Sequence, residues 1–226
     1  MPILYINGGI QVTIPVLYSD RWLVVCEKPV GVSSESPGLP NLLSAQLQGN
    51  FFPVHRLDQS TGGVCILARS AETCAALQQL FLQALVSKEY TAVIFGRPDE
   101  DEGVFEDLLF HDRRINKTYI VKQKRGGVKA ASCAWRVLDS VTSDGQILSL
   151  MRVTLHTGRT HQIRVQFASR GYPLVGDRRY GSRIKTGAPS LWARSISFPH
   201  PFAGNDVVSF CSSPPGVFPW NCFPKI

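Results

Sequence analysis

The sequence predicts a strand-rich α+β fold with few helices, and three observations carry that expectation. Short β-branched and aromatic runs recur along the chain with turn residues between them, as at residues 16–18 and 22–26 on either side of Ser19-Asp20-Arg21. Two further turn signals, Asn7-Gly8-Gly9 and Ser143-Asp144-Gly145, sit between apolar runs in the manner of hairpins. Helical spacing is clear in one stretch, residues 71–85, while residues 161–169 follow it only poorly and read as a short helix from their Thr160 start.

Taken in order, residues 3–16 alternate loosely about Asn7-Gly8-Gly9 and read as a small hairpin, so that residues 1–15 form an appendage to a domain covering 16–226. Residues 31–40 read as a loop. The continuous β-prone run 64–68 is followed by Ser70, an N-cap candidate with Glu72 in the first turn, and by Leu77, Leu80, Phe81 and Ala84 on one face of an amphipathic helix. Residues 90–95 return to strand character until Gly96-Arg97-Pro98. The acidic stretch 98–103 has no ligand spacing and reads as a solvated turn rather than a metal site. Lys117, Lys122, Lys124, Arg125 and Lys129 lie between expected strands, either as a phosphate-facing ribbon or as an ordinary charged hairpin. Two more strands, 135–138 and 147–155, flank the Asp144-Gly145 turn. Thr160 suits the N-cap of the short helix, and the Pro-rich tail 212–224 reads as irregular chain packed on the body.

Bulk properties narrow the class. A hydrophobic fraction of 44% and a charged fraction of 18% belong to an ordinary globular protein, and exclude disorder. The formal charge of +7 and a pI near 9.3 suit a polyanionic partner such as nucleic acid, although on charge alone simple solubility explains them equally well. The cysteines, Cys26, Cys65, Cys74, Cys133, Cys211 and Cys222, are scattered without CxxC pairs, which argues against zinc and for a reducing, cytoplasmic setting. No run approaches the ~20 apolar residues of a membrane span, and no secretory leader pattern opens the chain.

Three stretches carry chemistry. His55-Arg56-Leu57-Asp58-Gln59-Ser60-Thr61-Gly62-Gly63 lies in a polar loop just ahead of a buried strand, where a rigid scaffold can hold a carboxylate at a cleft. Lys88-Glu89-Tyr90 opens the strand after the helix. Leu155-His156-Thr157-Gly158-Arg159-Thr160-His161-Gln162-Ile163-Arg164 precedes and enters the second helix. Read singly, each has a bland account: an Asp pairing with an Arg or capping a turn, a Tyr in a strand core, a structural His. In this order they resemble the HRLDxxTxG, KxY and LxTGRxHQIR motifs of the RluA-type RNA pseudouridine synthases. Residues 24–31 resemble the same family's opening VVxKPxG, and 171–181 its GHPIxGDxxYG segment.

The resemblance covers nearly the whole chain. It implies a mixed, mainly antiparallel sheet with a central catalytic cleft, no cofactor and no metal, and RNA as partner, ribosomal or transfer. It also implies Asp58 as the essential carboxylate, Tyr90 stacked on the uracil, and Arg164 paired with Asp58. A carboxylate suits the isomerisation, which must break an N-glycosidic bond and rejoin the base through carbon. Asp58 would either attack the anomeric carbon or remove the 2′ proton, and the sequence leaves both routes open. Arg56, Arg159 and His161 are candidates for contacts to RNA. The expected enzyme acts as a monomer without the S4-like domain that often accompanies this fold, so that RNA contacts come from the catalytic domain itself. Three positions depart from the family: Gly62 for Ser, Gln166 for His and Tyr172 for His. Two other classes share part of this pattern: a non-catalytic RNA-binding or RNA-folding protein, against which stand intact Asp58, Tyr90 and Arg164, and a glycoside or nucleoside hydrolase, for which no second motif-borne carboxylate is present.

Overall fold

The computed structural model describes residues 3–6, 9–204 and 206–224, the side chains only from residue 13 onward. In chain order its elements are β1 (Ile3–Ile6), β2 (Gly9–Val12), β3 (Val16–Ser19), β4 (Leu23–Lys28), α1 (Leu39–Leu47), β5 (Phe52–Pro53), β6 (Gly62–Ala68), α2 (Ala71–Leu82) and β7 (Ser87–Phe95). They continue with β8 (Glu102–Asp112), β9 (Lys117–Val121), β10 (Val128–Ser143), β11 (Gln146–Leu155), α3 (Gln162–Ala168), β12 (Leu191–Pro199) and β13 (Val207–Cys211). Single 3₁₀ turns cover Arg178–Tyr180 and Trp220–Cys222. The class is α+β, as expected, and the described strand pairings are antiparallel. The chain divides into two compact units, Met1–Val86 with Ser195–Ser212, and Ser87–Arg194 with Ser213–Ile226.

In the first unit, β4 lies between β3 and β6, and β5 pairs with β6. The β3–β4 turn closes because Asp20 Oδ1 accepts from both Trp22 N at 2.7 Å and Leu23 N at 2.8 Å. Every residue of β6 is buried, and all of β4 but Glu27. Such continuous apolar runs are those of strands covered on both faces. Leu23, Val25, Ile66, Leu77, Ile196 and Phe198 meet in one core, where each large side chain fully removed from water contributes about 1.5–3 kcal/mol. The hairpin expected near the N-terminus forms as β1 and β2, paired from Ile3↔Val12 to Ile6↔Gly9; its turn at 7–8 lies outside the described residues.

Two helices of this unit differ from the sequence reading. α1 occupies the end of what reads as a loop: Pro40 sits in its first turn, where a missing N–H costs nothing, and Leu39 and Leu43 are buried. α2 starts as expected, with the Ser70 hydroxyl accepting from Thr73 N at 3.1 Å, but stops at Leu82 rather than 85. Ala84 takes a left-handed φ of 57°, and Leu85 N turns back to Leu80 O.

The second unit is an antiparallel ribbon in the spatial order β7-β11-β10-β8-β9. Asp144 and Gly145, both at positive φ (49° and 72°), form the two-residue hairpin between β10 and β11. Val93, Leu148, Leu150, Val175 and Trp192 build its main core, and the C-terminal tail joins it through Trp220 and Phe223. Because β7 and β11 run in opposite directions, with Tyr90 opposite Val153, the start of β7 lies beside the end of β11. The KxY and TGRxHQIR stretches therefore share one edge of this unit.

Candidate active site

In the first unit, Asp58 is half-buried on a loop fastened from both sides. Ser34 Oγ bonds both the N–H and the carbonyl of Leu57, each at 3.0 Å. Thr61 N donates to Asp58 O at 2.9 Å, and Gly31 N donates to Gln59 O while Gln59 Nε2 returns to Gly31 O, both at 2.8 Å. Beneath the loop Lys28 is fully buried, its Nζ donating to the carbonyls of Val32 at 2.7 Å and Pro29 at 3.1 Å and reaching that of Gln59 at 3.5 Å. Burial pushes its pKa down to about 8, against the opposing pull of Cys65, Asp58 and Cys26. His55 Nε2 accepts from Ile66 N at 3.1 Å, and its ring stacks on Phe81, which anchors the motif to β6 and α2. Arg56 points out to solvent beside Glu35, 3.1 Å away.

In the second unit, Gln162 organises the loop ahead of α3. Its Oε1 accepts from Thr157 Oγ1 at 2.8 Å and from Arg159 N at 3.0 Å, and its Nε2 donates to Ser132 O at 3.1 Å. Thr160, expected as the N-cap of α3, lies one residue too early for it. The N-cap is instead His161, at a left-handed φ of 54° with no side-chain cap. Arg159 is exposed and donates from Nε to Ala130 O at 2.9 Å. Burial, and secondarily the Arg159 charge, lower the proton affinity of Lys88. Tyr90 is buried two residues along from Lys88.

Arg164 lies in a buried bidentate pair with Asp177, Nε to Oδ2 at 2.6 Å and Nη2 to Oδ1 at 2.8 Å. Asp177 stands in the GDxxYG-like stretch, and its pairing with Arg164 is not foreseen from the sequence. His161 was a candidate for RNA contact; it is buried, its Nδ1 3.0 Å from the Tyr180 hydroxyl. Burial, reinforced by the charges of Arg164 and Arg179, pushes its pKa down to about 3, so at neutral pH it is an uncharged packing group.

Both departures near this region have structural accounts. Gln166 is fully buried, accepting from Cys133 Sγ at 3.3 Å and donating to Asp107 Oδ2 at 2.8 Å, and Asp107 is also gripped by Arg170. An amide satisfies both partners at once without titrating. The Tyr172 ring lies over Gly96, where an added Cβ would come within 3.3 Å of it. Among the described residues no group of three or more His, Cys, Asp or Glu is placed to hold a metal ion, and no helix is long and apolar enough to cross a membrane.

Comparison with known proteins bears on all of this. Residues 22–169 match the model of a family described as RNA pseudouridylate synthase. An RNA pseudouridine synthase of Synechocystis is 30% identical over 223 residues, covering 90% of this chain and 67% of its own length. The ribosomal large subunit pseudouridine synthase D of Nitrosomonas europaea is 31% identical over 215 residues, 84% of this chain and 59% of that enzyme. The fold of human RNA pseudouridylate synthase domain containing 1 superposes with a TM-score of 0.79 at 24% identity, covering 94% of this chain and 88% of that one. With the motif loops built as described and the family model spanning most of the chain, this protein belongs to the RluA-type RNA pseudouridine synthases, isomerases that convert uridine in RNA to pseudouridine.

Proposed function

We propose that Asp58, Tyr90 and Arg164 carry this isomerisation on uridines of structured ribosomal or transfer RNA, and that the protein works in the cytoplasm as a monomer. The observation that carries the reading is the fastening of the Asp58 loop: Ser34, Thr61, Gly31 and Lys28 hold its backbone on every side, the pre-organisation a carboxylate needs to meet a sugar carbon or its 2′ proton. Tyr90 offers a flat ring for the uracil, and Arg164 a permanent charge for a developing anion. The ribosomal target is suggested by the names of relatives such as the Nitrosomonas enzyme.

Contacts to RNA are assigned to the exposed Arg56 beside Asp58, which can grip a flanking phosphate or fill the space of a base taken out of the stack, and to the exposed Arg159, with half-buried Lys88 near Tyr90. Further along the second unit, Arg113, Lys122, Lys124, Arg125, Arg178 and Arg183 are all exposed and supply phosphate contacts.

The test is tritium release from uridine-labelled ribosomal and transfer RNA fractions, assayed separately with the unmutated protein and Asp58→Asn. Release in one fraction that vanishes in the variant, with RNA binding kept, is the expected result. Turnover by Asp58→Asn close to the unmutated rate would sink the assignment of Asp58.

A further inference from the structure

Arg164 is held by more than its ion pair. Asp177 engages the Nε–Nη2 edge of the guanidinium, which uses two of its five N–H donors and fixes its plane as well as its position. The Tyr180 ring lies against the same group, its centroid 5.2 Å from Cζ. Both residues belong to one short element. The Asp177 carbonyl accepts from Tyr180 N at 3.1 Å and Ser182 N at 3.0 Å, so the carboxylate and the ring are set by the same turn.

That turn is in its own right tied to β9 and to the start of α3. The Tyr180 hydroxyl accepts from Thr118 N at 2.8 Å, donates to Thr118 O at 3.2 Å and lies within hydrogen-bond distance of His161 Nδ1, 3.0 Å away. Thr118 Oγ1 donates to Thr160 O at 2.8 Å, which obliges His111 Nδ1, 3.0 Å away, to act as the donor toward it. Arg179 Nη1 donates to the carbonyls of Ile115 at 2.6 Å and Asn116 at 2.8 Å. With its hydroxyl held on two other elements, the Tyr180 ring, and with it the turn that carries Asp177, has little freedom to tilt away from the guanidinium.

We infer that Asp177 and Tyr180 are positioning residues that fix the orientation of the Arg164 guanidinium, with Thr118 and His161 holding the Tyr180 hydroxyl in place. The inference rests on the proposed reading that Arg164 serves the isomerisation.

The experiment pairs turnover with a direct view of the guanidinium. Tyr180→Phe keeps the ring and removes only the hydroxyl; Asp177→Asn keeps the shape and removes the charge. Each is assayed by tritium release on the ribosomal and transfer RNA fractions, with rates expressed per folded molecule, and by the ¹⁵N resonance of Arg164 Nε, assigned through Arg164→Lys. We expect kcat to fall about tenfold in Tyr180→Phe with KM for RNA within twofold, and the Nε–H signal to lose its protection from exchange. Asp177→Asn falls further in kcat, by about a hundredfold, and its loss of thermal stability separates misfolding from misorientation. Should Asp177→Asn fail to fold, Tyr180→Phe alone decides. Unchanged kcat together with an unchanged Nε signal would overturn the inference, as would a loss confined to KM. A protected Nε signal that Tyr180→Phe abolishes, in a protein that releases no tritium from either fraction, would instead uphold the clamp and overturn the reading of the reaction.

Discussion

Replacing Lys28 with Met removes a cation that the fold buries completely, and the consequence for stability has a definite dependence on pH. The folded protein lowers the Lys28 pKa from 10.5 to about 8, a difference worth about 3 kcal/mol in favour of the neutral amine. Below pH 8 the lysine is protonated in both states, and the folded state bears the full cost of a charge taken out of water, offset by the carbonyls of Pro29, Val32 and Gln59. Between about 8 and 10.5 the unfolded chain binds more protons than the folded one, so the contribution of Lys28 to stability rises with pH. Burial pushes Cys65 up to about 12, which works in the opposite direction above pH 9, but Cys65 is present in both proteins and cancels to first order in their difference. Urea unfolding of the unmutated protein and Lys28→Met at intervals from pH 6.5 to 10 measures that difference. It should shift in favour of the unmutated protein by about 1–2 kcal/mol between pH 7.5 and 9.5. A difference that stays flat over this range would show that Lys28 is not held as a desolvated cation.

Other residues give separate tests. His161, at a folded pKa of about 3, makes the unfolded chain the better proton acceptor below pH 6.5, so stability should fall by about 2 kcal/mol between pH 7.5 and 5 on its account; His161→Gln should remove that part of the acid sensitivity, and an equal loss in both proteins would refute it. Arg164→Ala leaves Asp177 buried without its partner and should cost about 3–5 kcal/mol in denaturant unfolding, besides abolishing turnover; a cost below about 1 kcal/mol would mean that water reaches the carboxylate. An alanine at Gly103 would put its Cβ 2.8 Å from the Trp135 ring, so Gly103→Ala should lose about 1–3 kcal/mol, read as a lowered melting temperature, and an unchanged value would show that the indole can shift.

The features legible in the sequence are those decided within a few residues. Asp20 closes its own hairpin, Asp144-Gly145 supplies two left-handed residues, and Ser70 caps the helix that follows it. α1 escaped because its Leu39 and Leu43 follow a Pro- and Gly-rich stretch whose local signals are those of a loop, and only burial in the first unit makes a helix of them. α2 ran short because the left-handed turn at Ala84 is a tertiary choice, with no Gly to announce it. The motif residues stand out by resemblance, Asp177 among them within 171–181, but the resemblance leaves the partner of Asp177 unassigned. Asp177 meets Arg164 across thirteen residues, and nothing in the spacing distinguishes its carboxylate from the exposed acids of residues 99–102. His161 shows the converse: a His within an RNA-modifying motif suggests a solvent-facing contact, while the fold buries it against Tyr180.

The strand β8 has acidic residues 99–102 at one end, partly neutralised by Arg97 and Arg136, and Arg113 and Arg114 just past the other, where Asp112 pairs with Arg114; the two ends are eleven residues apart along an extended chain of about 35 Å. That is several times the ~8 Å screening length of physiological salt, so the two ends act on a polyanion independently instead of cancelling. The charge left over at each end, acidic before β8 and basic past it, should therefore act separately on an approaching RNA. The effect belongs to the rate of arrival: added salt should slow association far more than it hastens departure.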